Sequence, residues 1–208
     1  PVTAEEEWGR LRPVLEVLSG RVTIPVSIDT YYPEVAARAL EAGAHIINDV
    51  SGSLQNGMPG VAARYGAGLV MMHAGGGADD EGGADAAGAV RAYFLEALEA
   101  AEQAGLAREA VCLDPGIGFG KPRLGDVQLI ARLPQVLAGL PETAVLVGAS
   151  RKRVVGMWCG NPPFEERLPG TLAIHTLAQW NGAHILRVHD VAPAVQAARV
   201  ADACRRER

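Results

Sequence analysis

Hydrophobic positions along the chain fall into two alternating textures. Short, nearly unbroken apolar runs rich in Val and Ile occupy 24–29 (IPVSID), 44–49 (AHIIND), 68–73 (GLVMMH), 110–114 (AVCLD), 144–150 (AVLVGAS) and 183–190 (AHILRVHD). Runs of this length without polar alternation predict strands buried on both faces, as in a parallel sheet. Longer Ala- and Leu-rich stretches with helical spacing separate them. The first opens on Thr3 with Glu6 three residues later, a capping box, and sets Trp8, Leu11, Leu15 and Leu18 on one stripe, with a kink expected at Pro13. PEVAARALEAG starts on Pro33 and stops at Gly43, the usual proline-first, glycine-last asymmetry. Single helices are predicted for GAVRAYFLEALEAAEQAG (88–105), LGDVQLIARLPQVLAG (124–139), TLAIHTLAQWNG (171–182) and APAVQAARVADACRRER (192–208). The Gly- and Asp-rich stretch 73–88 reads as a mobile loop.

A helix followed by six strand–helix units specifies a parallel α/β fold. Polar residues gather in the loops after the strands, as on the catalytic face of a TIM (β/α)8 barrel. A doubly wound sheet is the alternative. Six strands do not close such a barrel, and the chain starts on a helix. The expectation is therefore an incomplete barrel, a single domain over 1–208, with six parallel strands, helices outside and the barrel's N-terminal strand–helix–strand portion lacking.

The strand ends carry Asp29, Asn48 with Asp49, His73, Asp114, Ser150-Arg151-Lys152, and Arg187, His189 and Asp190. In a barrel these positions converge on one mouth. Any one of them is equally well read as a local cap, and for Asp49 and Asp190 that is the preferred reading. Two aspartates and an asparagine on an apolar floor suit a flat heterocycle with adjacent N–H donors, because a carboxylate accepts two parallel, charge-assisted hydrogen bonds. Asp114 is the first candidate, since the glycines at 116, 118 and 120 allow close backbone approach. Phe119 is either a core plug or a platform facing a ligand. Arg187 and His189, two apart on a predicted strand, point the same way and with Lys152 form a cationic rim for a phosphate or pyrophosphate. No P-loop, GxGxxG fingerprint or GxSxG elbow is present. His45, His175 and His184 read as structural.

A net charge of -5 and a pI near 5.6 argue against nucleic-acid coating. No run reaches the roughly 18 to 20 apolar residues that span a membrane, and the polar, acidic start shows no secretory signal. Cys112, Cys159 and Cys204 are scattered and read as free thiols of a reducing, cytoplasmic compartment. Of the 19 basic residues only Lys121 and Lys152 are lysine. Both follow motifs rich in Gly or Ser, which marks them as functional.

Six stretches, VSIDTYYPEVA, GAHIINDVSG, CLDPGIGFGK, VGASRKRVVG, PGTLA and GAHILRVHDV, are together similar to those of the dihydropteroate synthases of the folate pathway, in the same order and across nearly the whole chain. The resemblance implies a cytoplasmic, homodimeric, Mg2+-assisted TIM-barrel transferase, the sulfonamide target. It joins 6-hydroxymethyl-7,8-dihydropterin pyrophosphate to p-aminobenzoate, giving 7,8-dihydropteroate and pyrophosphate. It further implies that Asp29, Asn48, Met72, Asp114 and Lys152 bind the pterin. Arg187 lies on the pterin ring and, with His189, reaches the pyrophosphate, while Ser150 and Phe119 hold p-aminobenzoate. Lys152, Arg187 and His189 are the catalytic group. Two segments of the family, like N-V-T-P-D-S-F-S-D-G-G with its metal-binding asparagine and like G-G-E-S-T-R-P, are not in this sequence, so no metal ligand is expected within it. A non-catalytic pterin-binding paralogue and the pterin domain of a methyltetrahydrofolate methyltransferase are the alternatives.

Overall fold

The computed structural model describes residues 2–75, 85–121 and 123–207. Most of the stretch expected to form a mobile loop, 76–84, lies outside the described residues. Six strands form within the predicted runs: β1 (Ser27–Asp29), β2 (Ile46–Asp49), β3 (Gly68–Met72), β4 (Val111–Asp114), β5 (Ala144–Val147) and β6 (Ile185–Leu186). Nine helices accompany them among the described residues: α1 (Ala4–Leu18), α2 (Pro33–Glu41), α3 (Met58–Tyr65), α4 (Ala86–Gln103), α5 (Arg123–Ala131), α6 (Leu133–Leu137), α7 (Arg153–Trp158), α8 (Leu168–Trp180) and α9 (Val191–Arg206). Sheet order follows chain order, and β1–β2, β2–β3 and β5–β6 pair in parallel. A doubly wound sheet needs a reversal of strand order, so this is a TIM-type strand–helix succession with six of the eight units. None of the described helices is long and apolar enough to cross a membrane.

The chain packs into two compact units, residues 1–72 with 94–113, and residues 73–93 with 114–208. In the first, Val35, Ile47, Leu69, Phe94 and Leu113 are buried, and the Thr3–Glu6 capping box closes the start of α1 as the sequence predicts. Leu15 is fully buried on the expected stripe, and Pro13 is accommodated within α1, which runs on to Leu18. In the second, Val90, Ile117, Leu129, Leu133 and Val147 form the core.

A Gly-Ala-His-Ile sequence introduces one strand in each unit. His45 Nδ1 accepts the Val26 N–H at 3.2 Å before β2, and His184 Nδ1 accepts the Val145 N–H at 3.2 Å before β6. His175, on α8, accepts the Ala149 N–H through Nε2 at 3.0 Å. All three histidines therefore satisfy backbone donors at strand ends, as a structural role requires.

The sequence reading does not include α3 or α7, and two further elements differ from it. The helix predicted over 124–139 is two helices, α5 and α6. Pro134 has no N–H to offer the Ile130 carbonyl four residues back, and that carbonyl instead receives the Asn181 side-chain amide at 2.8 Å. β6 is only two residues long, so Arg187 and His189 lie beyond it and not on a strand. Its register against β5 covers Leu146↔Ile185 and Val147↔Leu186, with one further bond from Arg187 N–H to the Val147 carbonyl at 3.0 Å. The β5 partner ends at Val147, and a strand without a partner has no ladder to extend.

Asn181→Leu leaves the Ile130 carbonyl without its donor and should cost about 1–3 kcal/mol, read from urea unfolding midpoints. His175 is 2% exposed, and burial first, then the Lys152 charge, lower its pKa from 6.5 to about 4. The folded protein thus resists a proton that the unfolded chain accepts below pH 6.5, so stability falls as pH drops toward 4. Between pH 7 and 5 the wild type should lose about 2 kcal/mol more than His175→Gln, measured as the difference between their urea-unfolding free energies at the two pH values.

Candidate active site

In the first unit β1 ends at Asp29, opposite Asn48 in the register, and β2 runs one residue further. The Asn48 amide donates to Asp29 Oδ2 at 3.0 Å, and Asn48 is buried while Asp29 is exposed. The pair thus presents a carboxylate whose orientation is fixed by a buried amide. Met72 ends β3 with its side chain buried. Asp49 takes the other direction. Its Oδ1 accepts the Ser51 N–H at 2.9 Å and its Oδ2 the Asn56 amide at 2.7 Å, so it organises the loop into α3 as its local reading anticipates.

In the second unit Asp114 sits at the tip of β4, a strand with no exposed residue, and is itself only 7% exposed. Its Oδ1 accepts the Gly116 N–H at 2.7 Å. Gly116 has φ +67°, and a Cβ there would lie 2.0 Å from the His73 carbonyl oxygen, so only glycine turns the chain this way. Burial pushes the Asp114 carboxyl above the usual carboxylate range. The Gly116 N–H and the charges of Lys152, Lys121 and Arg187 pull against that rise without cancelling it. A ligand edge bearing N–H donors would supply what the carboxylate still lacks.

Lys152 crosses the glycine loop. Its Cδ would stand 3.1 Å from a Cβ on Gly118, which has φ +82°. The ammonium donates to the Ile117 carbonyl at 2.5 Å and lies 4.5 Å from the Phe119 ring centroid, within cation–π range. Phe119 is 36% exposed, which rules out the core-plug reading. Lys121, the other lysine, donates to the carbonyls of His73, Gly116 and Phe119.

Ser150 is buried and pairs with His189: Ser150 Oγ accepts the His189 N–H at 3.2 Å and stands 2.9 Å from its Nδ1. The His189 ring meets Phe164 edge-on at 5.6 Å. Arg187 leaves β6 beside Gly148 and acts on Asp114 through its charge. The second unit therefore gathers Asp114, Phe119, Lys152 and Arg187 around the glycine loop, and Ser150 with His189 beside them.

Asp190 departs from its expected capping role. It precedes α9, but its side chain makes no cap bond. Both oxygens are taken by the Arg151 fork, at 2.8 Å from Nε and 2.7 Å from Nη2, a bidentate geometry that outcompetes a single amide. Arg151 has φ +54°, accepts this strained turn, and also lies over Phe164 at 5.1 Å. Its N–H donates to Thr171 Oγ1 at 2.9 Å.

A cavity of about 330 Å³ opens beside Lys152, with Phe119, Phe164, Arg153 and Arg167 among its walls. Aromatic and cationic walls together suit an aromatic carboxylate. Sequence reading found Phe119 and Lys152 but missed Arg153, Phe164 and Arg167. The only signal was the basic triplet 151–153. Among the described residues no group of three His, Cys, Asp or Glu side chains could hold a metal ion. The acids of the glycine loop bind amides, Asp114 that of Gly116 and Asp126 that of Gly118, so these residues do not fit a Mg2+ centre of their own.

The model for the family described as "Pterin binding enzyme" matches residues 1–189. The chain is 41% identical over 207 residues to the dihydropteroate synthase of Escherichia coli K12, covering 97% of this chain and 72% of that protein. The solved dihydropteroate synthase of Xanthomonas albilineans in complex with 7,8-dihydropteroate superposes with a TM-score of 0.89 at 40% identity, covering 98% of this chain and 78% of that one. The same enzyme with 4-aminobenzoic acid gives 0.88 at 39% identity, covering 98% and 76%. Both the sequence match and the shared fold lead to one conclusion: the chain belongs to the dihydropteroate synthase family of pterin-binding enzymes.

Proposed function

We propose that this chain condenses 6-hydroxymethyl-7,8-dihydropterin pyrophosphate with p-aminobenzoate in folate biosynthesis, and that the cluster around Asp114 is where the pterin is held. The observation that carries the reading is a buried, under-compensated carboxylate with Lys152 and Arg187 acting on it. Asp114 accepts the N–H edge of the pterin. Asp29, Asn48 and Met72 are assigned to the same ligand on the family resemblance alone. Lys152, Arg187 and His189 receive the charge that develops on the pyrophosphate as the C–O bond to the pterin methylene breaks. The aromatic amine then forms the C–N bond at that methylene, and the proton it sheds goes to the departing pyrophosphate. No acid or nucleophile of the chain needs to form a bond, so the residues act by charge and by position.

The cavity beside Lys152 takes p-aminobenzoate, its ring against Phe119 and its carboxylate toward the cationic wall. Ser150 serves this half of the site by fixing His189. Mg2+ is expected to accompany the pyrophosphate, and no step above runs through it. A cytoplasmic location and a homodimer belong to the same reading. The exposed Leu177 and Trp180 on α8 offer apolar surface for such a contact, and sedimentation at micromolar concentration tests it.

The assay is formation of 7,8-dihydropteroate by the purified protein, with calorimetry for each substrate. Asp114→Asn should weaken pterin pyrophosphate binding by about 30- to 100-fold, the value of a charge-assisted pair. Unchanged affinity in a variant with a native circular dichroism spectrum would remove Asp114 from the site. Phe119→Ala should raise the KM for p-aminobenzoate by about tenfold, on the order of one aromatic contact, with pterin affinity unaltered.

A further inference from the structure

We infer that Lys121 is a positioning residue for the aminobenzoate half of the site: its ammonium clasps the backbone of the 116–120 loop and so sets Phe119 against Lys152. The inference rests on the proposed role of Phe119. A lysine beside a substrate pocket invites the reading that it binds the substrate's charge, and the geometry argues otherwise. Lys121 Nζ donates to the His73 carbonyl at 3.0 Å, the Gly116 carbonyl at 2.9 Å and the Phe119 carbonyl at 3.1 Å. An ammonium has three N–H donors, and three carbonyls meet them.

The acceptors are distributed to act as a clasp. One is on His73, the residue after β3, one at the start of the glycine loop and one on Phe119 itself. The loop's amides are held from the opposite sense by carboxylates. Gly116 N–H donates to Asp114 Oδ1 at 2.7 Å, and Gly118 N–H to Asp126 Oδ1, on α5, at 2.9 Å. Asp126 is only 4% exposed. A further turn bond joins Phe119 N–H to the Gly116 carbonyl at 3.1 Å. Carbonyls on an ammonium and amides on two buried carboxylates leave this loop little freedom to drift, and Phe119 is carried at its apex.

The clasp depends on the charge. Burial lowers the Lys121 pKa to about 8; Asp126 from α5 and Asp114 from β4 favour the ammonium, while Lys152 from the loop after β5 opposes it. The remaining titratable neighbour, His73, contributes its backbone carbonyl. Above pH 8 the neutral amine has two donors for three carbonyls, so the hold on Phe119 weakens as pH rises. Arginine cannot replace the contact, because a planar fork does not converge on three acceptors around one point.

The experiment measures kcat and both KM values from pH 7 to 9.5 for the wild type, Lys121→Gln and Lys121→Arg. The wild-type KM for p-aminobenzoate should rise with a midpoint near pH 8. Lys121→Gln should raise that KM about tenfold at pH 7 and abolish its pH dependence, with a smaller rise in the KM for pterin pyrophosphate because one of the charges acting on Asp114 is lost. Lys121→Arg, charged throughout, should fail to restore the KM. Equal rises in both KM values, rescue by arginine, or an unchanged p-aminobenzoate KM in a folded Lys121→Gln would each overturn the clasp. Should the variants not fold, hydrogen exchange of the 116–120 amides in the wild type decides: protection should drop above pH 8 beyond the intrinsic base-catalysed acceleration, and constant protection overturns the inference. A wild type with no turnover dependent on p-aminobenzoate would fail the functional reading instead, and the exchange measurement would still judge the clasp.

Discussion

Asp114 stands at the tip of a strand buried along its whole length, where an ionised carboxyl loses most of its hydration. Such a group is strongly destabilising unless donors and opposite charge reach it. The surrounding elements of the second unit supply both. The Gly116 turn brings an amide to 2.7 Å, while Lys152, Lys121 and Arg187 bring positive charge from three different loops. The compensation is incomplete, since the carboxyl still sits above its usual range. A carboxylate left short of donors is a poor structural anchor and a good receptor for a ligand with N–H groups. The glycines, the two lysines and the position of Arg187 become intelligible together once this single group is considered.

The turn that carries Ser150 and Lys152 is fixed from below. His175 on α8 takes the Ala149 amide, Thr171 on the same helix takes the Arg151 amide, and Arg151 closes onto Asp190 at the start of α9. The two helices therefore hold Ala149 and Arg151, on either side of Ser150, by two backbone amides and one ion pair. Reactive groups on a loop are only as well placed as the shell beneath them, and here that shell combines two neutral hydrogen bonds with one bidentate ion pair. Burial, and after it the Lys152 charge, depress the pKa of His175, which keeps Nε2 neutral and available to accept the amide it holds.

The strands were legible because a parallel sheet buries both faces, so each one appears in the sequence as an unbroken apolar run with a polar end. Asp114, Asn48 and the glycine loop could be read for the same reason. Features that depend on a partner distant in sequence could not. The length of β6 is set by where β5 stops. The break between α5 and α6 is visible as Pro134, but its stability depends on Asn181, 51 residues from Ile130. Asp190 looked like a cap because caps are local, whereas its real partner, Arg151, lies 39 residues away. The cavity wall of Arg153, Phe164 and Arg167 combines the first residue of α7 with a 3-10 turn before α8 and leaves no periodic trace.

The two lysines are the sharpest case of composition foretelling geometry. The chain's other basic residues are all arginine, and the arginines do what a planar fork does well, as in the two parallel bonds from Arg151 to Asp190. Both lysines instead end on backbone carbonyls inside tight turns, Lys152 on Ile117 and Lys121 on three carbonyls at once. A guanidinium spreads its donors in a plane and needs more room than a turn made of left-handed glycines leaves. At Lys152 the space is also bounded by Gly118, where even a methyl group would come within 3.1 Å of the lysine stem. Arginine at either position would have to push the loop outward and take Phe119 with it. A preference for arginine everywhere else is thus overridden at the two positions where a compact, rotatable charge is the only one that fits.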